Sequence, residues 1–303
     1  MGKDARGGHE GPGAGAGRRL LGAAEAVAVY CAVGAAALGG AVLISLPVRS
    51  VLRLGDDAQS WTAPHGAVHL LVQVATLAIT TILLGVYLRR RLRLRIRDIG
   101  LTAKVPWRKV LRGLLVGAGL GGCGTALAWA AGAAEPTAAA AAPRGVAGAV
   151  LLGLVYLVAS LAKGVGAELL ARGWLLHALA RQLGVPLAIL GQAVLFAAWR
   201  PGGGPASALH PVLLFAFGVF AALYVLWDRT LWGACALHGA FDAVVFPLAA
   251  GGLGLRDAQG RPDAAAVAAI PVILMGILVL TALLRRRGLP GGAERARGGP
   301  GRP

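Results

Sequence analysis

Three pairs of ionisable side chains stand four residues apart within apolar stretches: Glu168 with Arg172, His238 with Asp242, and His65 with His69. On a helix that spacing puts both members of a pair on one face. A charged side chain at the centre of a membrane helix costs about 2.5–3.5 kcal/mol on insertion scales, so each needs a partner or a polar cavity. Glu168 and Arg172 can neutralise each other as a helical ion pair. The imidazole of His238 can hydrogen-bond the carboxylate of Asp242 one turn away. His65 and His69 read as interfacial residues at the end of a span, with metal binding the less economical use of them. Arg200 ends one apolar run and His210 opens the next.

The elements that must position these residues are strongly apolar. The chain of 303 residues is 57% hydrophobic and 14% charged, with a mean hydropathy of +0.70. A soluble domain carries roughly a quarter charged residues. Apolar runs recur near the ~20 residues that cross ~30 Å of hydrocarbon as a helix. The expected fold is therefore all-α, a polytopic transmembrane bundle of about eight spans. They lie near residues 20–48, 64–88, 110–133, 146–165, 186–201, 209–227, 230–250 and 266–284, and 166–182 continues helically from the fourth. The first run has no convincing small-residue cleavage site and reads as a retained span rather than a signal peptide. The membrane-embedded domain is then 20–284. Gly- and Arg-rich segments flank it, 1–19 and 285–303, both expected to be disordered. With the N-terminus in the cytoplasm, 24 of the 30 Lys and Arg residues fall on the cytoplasmic side. The positive-inside bias thus places both termini there.

The net charge of +17 does not indicate nucleic-acid binding. The basic residues flank apolar runs and form no basic domain with interleaved aromatics, which suits topology control and contact with anionic lipid headgroups. In the run 89–109 arginine alternates with apolar residues from Arg91 to Arg97, before Pro106 and Trp107. It is either a solvated loop or an interfacial segment with its arginines on lipid phosphates. Cys31, Cys123 and Cys235 lie in apolar segments without metal-type spacing and read as packing residues. Gly117, Gly119 and Gly122 spell a dinucleotide-binding pattern, but inside an apolar span with no preceding strand. Close helix packing through small residues explains them better. No internal repeat is evident, which counts against many transporter architectures.

Read together, the motifs Ala167-Glu-Leu-Leu-Ala-Arg172, Phe196-Ala-Ala-Trp-Arg200 and His238-Gly-Ala-Phe-Asp242 follow one another in order. In this the sequence resembles the CPBP family of intramembrane proteases, which comprises the type 2 CAAX prenyl proteases and the bacteriocin-processing and lysostaphin-resistance-like proteins. Its motifs are E-E-x-x-x-R, F-x-x-x-H and H-x-x-x-N/D on a bundle of about eight membrane helices. The resemblance covers about 80–290, is strongest over 160–246, and has its core at about 146–250. The segment from Tyr224 to Gly233 is a further shared flank. The resemblance implies a bacterial inner (plasma) membrane protein, an endopeptidase acting on membrane-associated peptides or proteins. Its first-motif leading glutamate would activate water and its second-motif histidine would hold the reacting groups. The His and Asp of the third motif would complete the polar cavity. Such chemistry needs a positioned water, a carboxylate base and donors for the oxyanion.

Glu168, Arg172, Phe196, His238 and Asp242 match the family pattern. Two positions depart from it: Ala167 stands where the leading glutamate is expected, and Arg200 where the histidine is expected. Alanine cannot accept a proton, and arginine is a permanent cation with no acceptor. Activity would then require Glu168 to act as base, His210 to supply the missing imidazole, or Glu168, His238 and Asp242 to bind a divalent metal. Zinc is the metal implied by family analogy. The alternative is a catalytically inactive pseudoprotease that binds a hydrophobic peptide or partner helix. A further alternative is a small-molecule transporter using the same polar residues.

Overall fold

The computed structural model describes residues 12–54, 63–102, 104–136, 146–199, 209–249, 255–257 and 267–287. Helices dominate: α1 (Pro12–Val51), α2 (Ala63–Tyr87), α3 (Trp107–Ala130), α4 (Val146–Glu168), α5 (Leu176–Leu183), α6 (Val185–Ala198), α7 (His210–Asp228), α8 (Leu231–Ala249) and α9 (Ile270–Arg287). Ala134–Pro136 and Leu255–Asp257 form a short antiparallel pair, with Ala134 opposite Asp257. Among the described residues, five helical stretches are long and apolar enough to cross a membrane: Gly15–Val51, Ala63–Leu92, Trp107–Ala130, Val146–Leu183 and His210–Asp228. Val185–Ala198 and Leu231–Val245 are shorter apolar helices. The chain is a multi-pass helical membrane protein. Its outward faces carry exposed apolar side chains such as Leu43, Leu151 and Leu278, as hydrocarbon solvent allows.

The first and last helices extend past the bounds 20–284. α1 starts at Pro12 and so takes in residues 12–19; proline at the first helical position is pre-set for the helix. α9 runs to Arg287, with three arginines in its last turn facing the negative end of the helix dipole. Residues 1–11 and 288–303, the remainder of the two expected disordered tails, lie outside the described residues.

Three helices pack backbone to backbone at the centre of the bundle. A Cβ at Gly117 on α3 would meet the carbonyl of Leu237 on α8. A Cβ at Gly164 on α4 would lie 2.7 Å from the amide nitrogen of Gly239 on α8, and one at Gly239 would lie 2.7 Å from Cα of Leu161. α8 is therefore clasped between α3 and α4 at distances that only glycine allows. The packing stripe on α3 differs from the expected one. Gly113, Gly117 and Gly121 face α8, whereas Gly119 and Gly122 meet nothing within 4 Å. An i,i+4 row stays on one helical face; the G-x-G-x-x-G spacing does not. Cys123 likewise is exposed, so of the three cysteines it is not a packing residue, while Cys235 is buried.

A second fastening lies at the α7–α8 turn. Arg112 of α3 pairs with the carboxylate of Asp228, and Lys109 donates to its carbonyl. The Trp227 ring carries the guanidinium of Arg112 at 4.4 Å and that of Arg287 at 5.3 Å. The amide of Leu231 donates to the carbonyl of Gly100 at 3.2 Å. The Tyr224–Gly233 flank thus ties α3, α7, α8 and α9 together next to the helix that carries His238.

Candidate active site

α4 ends on Glu168, and the helix then continues with π-type hydrogen bonding over Leu169–Leu175 before returning to α geometry in α5. The Leu176 amide accordingly reaches the carbonyl of Ala171, five residues back. His177 Nδ1 donates to the carbonyl of Arg172 at 2.7 Å. Short π segments inside α-helices are frequent at functional sites. This one turns the whole segment inward: Leu169 to Leu175 are all buried.

Glu168 and Arg172 are both 0% exposed, and Arg172 Nη1 donates to Glu168 Oε1 at 2.9 Å. Arg172 Nη2 donates to the carbonyl of Gly218 on α7 at 3.3 Å. Its guanidinium lies 4.4 Å above the ring of Phe196 on α6. Gln192, also on α6, donates to the same Gly218 carbonyl at 2.9 Å. From α8, His238 Nδ1 donates to Glu168 Oε1 at 2.8 Å. The other ring nitrogen of His238 is 3.5 Å from Asp242 Oδ2, and Lys163 Nζ of α4 is 2.7 Å from that oxygen. The result is one polar chain, Lys163–Asp242–His238–Glu168–Arg172, strung across α4, α8 and the π segment.

Aromatic rings enclose the chain. His238 meets Phe217 edge-on at 5.0 Å and Phe196 at 6.0 Å, and Phe217 in turn contacts Phe241 at 5.2 Å. At its buried end, Glu168 and Arg172 depend on each other, because removing one member of a buried pair leaves the other unsolvated.

All four motif-matching residues, Glu168, Arg172, His238 and Asp242, therefore meet, and Phe196 joins them through the arginine. Ala167 is half-buried and stands about 100° around the helix from Glu168. Arg200 lies outside the described residues. His210 begins α7, seven residues and so about 10 Å of helix rise before Phe217. His69 stacks on Tyr156 at 5.4 Å, within electrostatic reach of Lys163 and Asp242.

The sequence reading missed Lys163, Gln192, Phe217 and Gly218. Lys163 had a signal: it is ionisable inside the fourth apolar run, and the rule that picks out Glu168 applies to it equally. Gln192 is polar within an apolar helix and is 0% exposed. Phe217 and Gly218 carried none.

The candidate metal set does not fit a metal. Glu168, His238 and Asp242 form a line in which both imidazole nitrogens face carboxylates, and Arg172 and Lys163 already pair with those carboxylates. Ligands for zinc have to converge on one point with a free lone pair on the imidazole. Among the described residues no group of three His, Cys, Asp or Glu side chains does so.

The short α6 explains how the second motif reaches the first. The sequence reading took 186–201 as a full span ending near the far side from Glu168. The helix has 14 residues, about 21 Å at 1.5 Å per residue and short of the ~30 Å of hydrocarbon. It returns from a turn at Gly184, whose φ is +84°. Arg172 and Phe196 each stand twelve residues from Gly184, so an antiparallel return brings them level.

Residues 149–244 match the family model described as type II CAAX prenyl endopeptidase Rce1-like. The matched segment holds the whole network from Lys163 to Asp242, and the resemblance seen in the motifs is borne out over it. No curated protein matches the chain.

Proposed function

We propose that this CAAX-protease-like membrane protein keeps the polar network of its family as a structural clasp, and binds a hydrophobic peptide or partner helix without cleaving it. The observation that carries this reading is the state of Glu168. Its Oε1 is shared by Arg172 and His238 with no solvent exposure, while alanine occupies the position of the expected base. A general base needs a lone pair within reach of the proton it removes; here the oxygen facing the imidazole is already committed twice. The Lys and Arg distribution supports an orientation with both termini in the cytoplasm.

One observation favours a second reading, intramembrane endopeptidase activity with Glu168 as base. Glu168 Oε2 is buried and makes no hydrogen bond within the protein, so it is the one carboxylate oxygen of Glu168 left to take a proton from a water.

A cleavage assay separates the two. The parent protein, Glu168→Gln, and an Ala167→Glu/Arg200→His double variant are purified in detergent and incubated with a library of hydrophobic peptides. The binding reading expects no cleavage by the parent, retained peptide binding in Glu168→Gln, and cleavage only after the double substitution. Turnover by the parent that disappears in Glu168→Gln would establish the protease reading instead.

A further inference from the structure

We infer that a cavity at the end of α2 binds the phosphate group of an anionic membrane lipid. The cavity, of about 340 Å³, is lined by Arg89, Arg93, Leu94 and Arg95. Three of the four residues lining this open pocket are arginines, and their charge would be balanced by an anion with several oxygens. Guanidinium is the group best suited to it, since its planar fork matches phosphate oxygens two at a time.

Two neighbouring arginines are already engaged. Arg91 pairs with Glu25 at 3.3 Å, and Tyr87 donates to the same carboxylate at 3.0 Å. Arg97 is 3.7 Å from Asp98, whose second oxygen accepts the backbone amide of Arg95 at 2.8 Å. The side chains of Arg89, Arg93 and Arg95 meet no carboxylate among the described residues.

Backbone geometry adds a separate argument. Arg93 closes the π-type turn Leu88–Leu92 in the left-handed region, with φ +57°, and its amide caps the Leu88 carbonyl. Glycine fills that position at lower cost. The cap uses only backbone atoms, so it does not call for an arginine side chain; the cavity does.

Position selects the source of the phosphate. The apolar span Ala63–Leu92 ends at the cavity, which is where lipid headgroups lie, and Leu94 offers an apolar wall beside them. Trp107 is 64% exposed and carries Arg108 at 5.4 Å over its ring, an arrangement suited to the same interface. The inference stands apart from the proposed function, because none of its residues touches the Glu168 network.

The test uses the full chain, delipidated in detergent and titrated with phosphatidylglycerol, phosphatidylcholine or inorganic phosphate, with bound lipid counted by native mass spectrometry. Phosphatidylglycerol should bind well above phosphatidylcholine. Guanidinium–phosphate hydrogen bonds are of the strong, charge-assisted kind, so Arg93→Gly/Arg95→Gln should weaken that binding roughly 30-fold. Glycine suits the backbone at 93, so the unfolding temperature of the variant should be unchanged. Arg90→Gln removes one exposed charge from the same segment outside the cavity and should cost less than about 2-fold. Equal losses per charge in Arg90→Gln and the double variant would mean diffuse attraction and overturn the site. Inorganic phosphate binding as tightly as phosphatidylglycerol would overturn the lipid assignment.

Discussion

His238 donates its Nδ1 proton to Glu168 Oε1 at 2.8 Å, joining residues 70 apart in the chain. This bond connects the two i,i+4 pairs into one network, and it exists because glycines let α8 lie against α4 at backbone distance. The stability of the bundle and the state of the site are therefore linked.

Breaking the buried pair should cost far more than replacing it. Arg172→Met leaves the buried charge of Glu168 with the imidazole of His238 as its remaining partner, so a loss of about 3–5 kcal/mol is expected. Glu168→Leu/Arg172→Met removes both charges and should recover most of that loss. Unfolding of both variants in mixed detergent–denaturant titrations checks this; equal losses would show that the pair stabilises by net attraction.

The network should weaken in order from its buried end to its exposed end. Lys163 is 46% exposed and Asp242 is 17% exposed, so solvent screens that pair, and Lys163→Met should cost about 1 kcal/mol or less. Arg172→Met should be several times worse in the same titration. The reverse order would place the main support at the Lys163 end.

Phe196 should act through Arg172. Phe196→Leu keeps most of the apolar volume but removes the ring under the guanidinium, worth on the order of 2 kcal/mol where the cation is desolvated. In an Arg172→Met background the same change should cost much less. A double-mutant cycle measures the difference, and strict additivity would remove the cation–π contact from the account.

The glycine stripe gives a positional prediction. Gly117→Ala places a methyl against the backbone of α8 and should destabilise by about 1–3 kcal/mol. Gly119→Ala and Gly122→Ala meet open space and should be neutral or slightly stabilising, since alanine is the better helix former. Melting curves in one detergent compare the three.

Chelation should leave the protein unchanged. Because the carboxylates of Glu168 and Asp242 already pair with Arg172 and Lys163, a strong chelator should not shift the unfolding temperature, and added zinc should not raise it. A chelator-induced fall of several degrees would contradict the ligand geometry described above.

Much of this protein was legible in its sequence because the information was local. Apolar run lengths gave the helices, and four-residue spacing gave Glu168–Arg172 and His238–Asp242, since both members of each pair ride on one helix. The failures were also local ones: Lys163 passed unnoticed, and the spacing of Gly117, Gly119 and Gly122 was read without its helical face. Neither the π segment after Glu168 nor the reach of α6 was legible. Hydrogen-bond register and helix length inside an apolar run depend on what packs around them. The sequence by itself determined which side chains must find partners. The tertiary structure decided which partners: close approach of α4 and α8 set His238 on Glu168, and the return at Gly184 set Phe196 on Arg172. Contacts between helices are fixed by packing distance and the length of the connecting turn, and no spacing along a single helix encodes them.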